Sequence, residues 1–241
     1  MITFFRKIRQ KLLSQNQITR YLVYALGEIV LVVIGILIAL QVNNWNENRK
    51  KQALSQETIG NLKTELEEAG IELDRAYHFN LENRRLSQEF IDGEANFDSL
   101  RLAPHKIFRY TGYAPISLNL PILERELGSD KIIMAKDDLA HQLRTIQNEY
   151  TTIQTIISSM ERLWSNQIAP YYTKTNTMVV YNQYLNQKEI DLNSLIPLYE
   201  DEEYKNLVAA INSFSFQLVG KMKSLQNELN ETIRYLETTK N

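Results

Sequence analysis

The feature that most constrains this chain is an unbroken apolar run near its beginning. Residues 21–42 read YLVYALGEIVLVVIGILIALQV, in which Glu28 is the only charged side chain and Gln41 the only other strongly polar one. As a helix rising 1.5 Å per residue, this run spans roughly 33 Å, enough to cross a hydrocarbon core of about 30 Å. Tyr21 and Tyr24 stand at one end and Trp45 just beyond the other, where amphipathic rings settle at headgroup depth. A cleaved signal peptide has an apolar stretch of only about 7–15 residues that ends in small residues. This run is longer and leads into Asn43, Asn44, Trp45 and Asn46, so it reads as an uncleaved signal anchor whose first partner is the lipid bilayer.

Charge then sets the expected orientation. Residues 1–20 carry Arg6, Lys7, Arg9, Lys11 and Arg20 and no acid, against Arg49, Lys50 and Lys51 beyond the span, with Lys63 at the edge of the window. The positive-inside rule therefore places a basic tail (1–20) in the cytoplasm, a single transmembrane helix (21–42) in the inner membrane, and residues 43–241 in the periplasm. Within the tail, Ile2, Phe5, Ile8 and Leu12 recur at helical spacing among the basic residues. This suits either a short amphipathic helix on an anionic leaflet or a plain topogenic tail. The whole chain has 27 Lys plus Arg and 29 Asp plus Glu, and without the tail 22 basic residues face 29 acidic ones. The domain is mildly acidic, and no nucleic-acid partner is expected. There is no cysteine, which excludes disulfides, thiolate metal sites and cysteine nucleophiles.

The opening FFRKIRQKLL, followed by YALGEIVLVVIGILIALQVNNWNE, resembles an uncharacterised family of single-pass membrane proteins from Bacteroidota, a domain of unknown function. The resemblance covers about the first 50 residues and is loose beyond them, resting on LNLPILERELGSDKI. It implies a bacterial inner-membrane location and a helical C-terminal region. It implies no activity.

Eight Gly and five Pro are few for an all-β protein, and three long apolar patterns at helical spacing follow the span. In the first, Ile59, Leu62, Leu66, Ala69, Leu73 and Ala76 line one face of a helix expected from about Gln52 to Ile91. Asn43 to Lys51 holds no Pro or Gly that would separate it from the membrane helix. The second pattern runs Leu139, Leu143, Ile146, Tyr150, Ile153, Ile157, Met160 and Trp164, with Pro170 expected to limit the helix. The third runs from about Glu200 to Thr238 through Tyr204, Leu207, Ile211, Phe214, Leu218, Met222, Leu225, Leu229, Ile233 and Leu236. Amphipathic stripes must cover one another or a partner. The expected fold is all-α: one transmembrane helix, then an antiparallel helical bundle of three long helices with one or two short ones. Pro121 to Leu127, stopped by Gly128, and Met178 to Leu185 read as the short helices, and Ile132 to Met134 as a small extended piece.

Little chemistry is legible. Asp137 and His141 are one helical turn apart, but a catalytic zinc needs three protein ligands and no HExxH accompanies them. There is no Gly-rich phosphate loop and no GxSxG elbow, and acid clusters such as Glu65, Glu67 and Glu68 or Asp201, Glu202 and Glu203 read as solvated helix surface. No catalytic residue, metal or cofactor is expected. Two features remain. Phe108, Tyr110 and Tyr113 with Tyr171 and Tyr172 fall in the two irregular connections, where they would either cap the core or form a binding surface. In the membrane run, Gly35 and Ala39 share a face with Glu28, a small-xxx-small pair beside a carboxyl that could hydrogen-bond across a helix contact. The function expected is a membrane-anchored, non-enzymatic interaction or scaffold module of the bacterial envelope, a homo-oligomer or the companion of another membrane protein. The alternative is a periplasmic ligand-sensing bundle acting through a partner, since a tail of about 20 residues leaves no room for a transducer domain.

Overall fold

A computed structural model of the chain describes residues 18–95, 103–104, 106–128, 137–190 and 195–239, together with the single positions 6, 7, 10 and 193. Apart from positions 6, 7 and 10, the tail at 2–13 lies outside the described residues, as does the expected extended piece at 132–134. All regular structure among the described residues is helical: α1 (Ile18–Ile91), α2 (Lys106–Arg109), α3 (Pro121–Gly128), α4 (Asp137–Leu163), a π-helical turn (Trp164–Ile168), α5 (Ala169–Lys174), α6 (Thr177–Leu185), α7 (Ile196–Glu200) and α8 (Glu202–Thr239). Five short helices therefore accompany the three long ones, rather than one or two. The chain divides into two units, Met1–Glu57 and Thr58–Asn241.

In the first unit α1 carries the apolar run without interruption, and none of its most apolar 18-residue window is buried. Leu31 is 71% exposed. One helix long and apolar enough to cross a membrane is thus present, and nothing within the unit covers it.

In the second unit the expected stripes make the core. Leu62, Leu66 and Leu73 of α1, Ile146, Ile153 and Met160 of α4, and Leu218, Met222 and Leu225 of α8 are fully buried. Helices α1 and α8 run antiparallel: Lys63 meets Glu237, Asp74 meets Gln226 and Gln88 meets Asn212, positions falling along one helix as they rise along the other. Helices α4 and α8 are also closely packed, tied by Lys221 to Glu149 at 3.0 Å.

The simple up-down-up order does not hold, however. Residues 110–120, a turn followed by non-helical chain, return antiparallel to α1, with Tyr110, Gly112 and Ala114 held by Ser87, Asn83 and Asn80 in turn. The same segment runs antiparallel to α4, with Ile116 held by Gln154 and Leu118 by Tyr150. Helices α1 and α4 are therefore parallel, because the chain between them has already returned, and α8 is antiparallel to both. The segment buries Ile116, Leu118 and Leu120 and exposes the residues between, the period of two that an extended chain imposes.

Pro170 does not stop the second long helix as expected. The backbone first widens into the π turn, in which the Ala169 amide reaches back five residues to the Trp164 carbonyl, and then continues as α5. Pro170 sits in the first turn of α5, where its missing N–H costs nothing.

Candidate functional site

At the end of the second unit where α1 and α4 finish and α8 begins, the two irregular connections bring their rings together. Phe90 of α1 stacks on Tyr110 at 4.8 Å between centroids and meets Tyr204 edge-on at 5.7 Å. Tyr204 stacks on Tyr171 at 5.9 Å, and Phe108 packs against Tyr172, Tyr181 and Tyr184. Trp164 of the π turn closes the cluster against Tyr181 at 5.8 Å. All but the tilted Trp164–Tyr181 pair are stacked or edge-to-face, the geometries that the ring quadrupoles favour.

Four of the hydroxyls are spent internally. Tyr204 donates to the Ile107 carbonyl at 2.5 Å, Tyr171 to the Asp201 carboxylate at 2.8 Å, and Tyr199 to the Ala95 carbonyl, while the Tyr172 and Thr111 hydroxyls hydrogen-bond to each other at 2.9 Å. Burial pushes the Tyr110 and Tyr172 phenols up to about 12 and also raises those of Tyr204 and Tyr171. The Tyr171 hydroxyl in turn holds the Asp201 carboxyl below its ordinary value. These phenols stay protonated at neutral pH. Of the five aromatic residues singled out from the sequence, Phe108, Tyr110, Tyr171 and Tyr172 are buried and only Tyr113 is half-buried. The structure does bring them together, as the core of this end and not as an exposed binding surface. A phenol with its hydroxyl satisfied behaves as a core residue.

The second group is placed differently. Glu28, Gly35 and Ala39 all lie on the exposed surface of α1, and a Cβ added at Gly35 meets nothing within 4 Å. No contact inside the chain explains a glycine there. His141 is exposed, the Asp137 side chain lies outside the described residues, and among the described residues no cluster of three or more His, Asp or Glu is arranged to hold a metal ion.

Sequence reasoning missed a polar seam. The spacing of buried positions on α1 continues past Ala76 through Asn80, Asn83, Ser87 and Phe90, of which three are polar. Asn80 clasps the backbone of one residue, donating to the Ala114 carbonyl and accepting from the Ala114 amide, each at 3.0 Å. Asn83 donates to the Gly112 carbonyl at 3.1 Å and accepts from Arg109 Nε at 2.8 Å. A Cβ at Gly112 would stand 3.3 Å from the Phe108 carbonyl and 3.4 Å from Asn83 Nδ2, so glycine permits this approach. Further along α1, Glu65 is buried and accepts from the amides of Ile122 and Leu123 at 2.8 and 2.9 Å. It caps α3 from another helix. The legible signal was the spacing itself, which persists into residues that a hydrophobic count ignores.

No curated protein and no solved structure matches the chain. Residues 28–99, which hold the apolar run from Glu28 onward and the rest of α1, match a family described as a family of unknown function, DUF6090.

Proposed function

We propose that the chain is a membrane-anchored, non-enzymatic interaction or scaffold module of the bacterial envelope. In this reading it crosses the inner membrane once, with its N-terminus in the cytoplasm and its helical domain in the periplasm. The excess of Lys and Arg before the span supports that orientation. The observation that carries the reading is the face of Glu28, Gly35 and Ala39, exposed along α1 and able to admit a second helix closely at Gly35.

The test compares the unmodified chain with Gly35→Leu and Glu28→Gln in a membrane two-hybrid assay, together with recovery of co-purifying proteins. Gly35→Leu is expected to reduce self-association or the yield of a specific partner by severalfold, and Glu28→Gln to have the smaller effect, because an amide still hydrogen-bonds. If Gly35→Leu changes neither readout, this face is not an interface.

A further inference from the structure

On the outer side of α8, Phe216 is 63% exposed, and one turn further on stands Gly220, where an added Cβ meets nothing within 4 Å. A glycine inside a helix lowers stability relative to alanine, and here neither a turn nor a close backbone approach requires it. With Ile156 of α4 and Val219, these residues line an open groove of about 700 Å³, within the range of small-molecule sites.

Arg84 of α1 also lines the groove. Its guanidinium lies 4.9 Å from the centre of the Phe216 ring, and its Nε is buried with no hydrogen-bond acceptor. The cations around it are differently placed: Arg85 is held by Glu82 and Glu89, and Lys221, the groove's other cation, by Glu149. That Nε is enclosed, so an anion in the groove meets the guanidinium at its terminal nitrogens, and nothing among the described residues accepts from the Nε. The groove thus joins an apolar floor to a single uncompensated guanidinium.

We propose that the groove binds a small amphipathic carboxylate, its anionic head forked on Arg84 and its apolar body lying against Phe216, Ile156 and Val219. A planar carboxylate matches the guanidinium fork, and an aromatic or short alkyl body matches the exposed ring. The proposal does not depend on what the membrane helix packs against.

The test uses the full chain in lipid nanodiscs, with ligand-observed NMR against 4-phenylbutyrate and its neutral isostere 4-phenylbutanamide, empty discs being subtracted. The acid is expected to bind at least tenfold more tightly than the amide. Arg84→Gln should remove that preference, and Gly220→Leu, which projects into open space and leaves the fold intact, should weaken both probes tenfold or more. Equal binding of acid and amide, or binding no greater than to empty discs, overturns the proposal. So does a changed number of chains per disc in Gly220→Leu without competition by phenylbutyrate, since a second copy of the chain would then cover the groove.

Discussion

At Glu65 a carboxylate does for α3 what a serine or aspartate usually does from within a helix. The first residue of α3, Pro121, has no amide to satisfy, and the next two, Ile122 and Leu123, give theirs to Glu65 Oε2 and Oε1. Glu65→Ala leaves both donors without that acceptor, at a cost of about 2 kcal/mol, or roughly 4–8 °C in the melting temperature of a domain of this size. Circular dichroism of the full chain in mild detergent measures it, and an unchanged melting curve would show that the cap is dispensable. The buried tyrosines make a second prediction at this scale. The Tyr110 and Tyr172 phenols stand near 12 in the folded chain against an ordinary 10, so between those values the folded state retains protons that the unfolded state has lost. Stability is therefore full below about pH 10 and falls as pH rises toward 12. Absorbance at 295 nm should show exposed phenols titrating first and a cooperative step later, coincident with loss of helix. A single non-cooperative titration would mean that the aromatic end is open to solvent.

Among the elements, what was legible was what repeats. The stripes of α4 and α8 predicted Ile146, Ile153, Ile157 and Leu218 as core, and all four are buried. Ile153→Ala should cost about 2–5 kcal/mol, and a melting temperature within a degree of the parent would contradict that placement. The π turn was not legible, because Pro170 looks the same whether it ends one helix or begins the next. Nor was the seam of Asn80, Asn83 and Ser87, since polar residues on a helix read as solvent-facing until their partners are known. Those partners are backbone groups of an extended segment 23 to 34 residues away. Asn80→Leu fits the helix as a sequence but strands both the amide and the carbonyl of Ala114, at about 2–4 kcal/mol. Hydrogen exchange would report faster loss of protection at Ala114 than in α4; uniform exchange would argue that the segment is held by its side chains alone.

For the molecule as a whole, all-helical character and an apolar span could be read from composition and run length, because neither depends on which helix meets which. The parallel course of α1 and α4 could not be read, since it follows from how residues 110–120 return, and no short-range pattern encodes direction. The aromatic end shows the same limit: clustering in the sequence correctly grouped Phe108, Tyr110, Tyr171 and Tyr172, but only packing decides whether rings face solvent or one another. The pairing of α1 with α8 also has a consequence for how the chain is made. The partners that hold the two helices together are 124 to 174 residues apart. At synthesis rates of roughly 5–20 residues per second, the apolar stripe of α1 waits on the order of 10–30 s for α8 to emerge. During that interval Leu62, Leu66 and Leu73 are without the helix that helps cover them, so nascent chains halted before Glu202 should be protease-sensitive and bound by holding chaperones, and released chains neither.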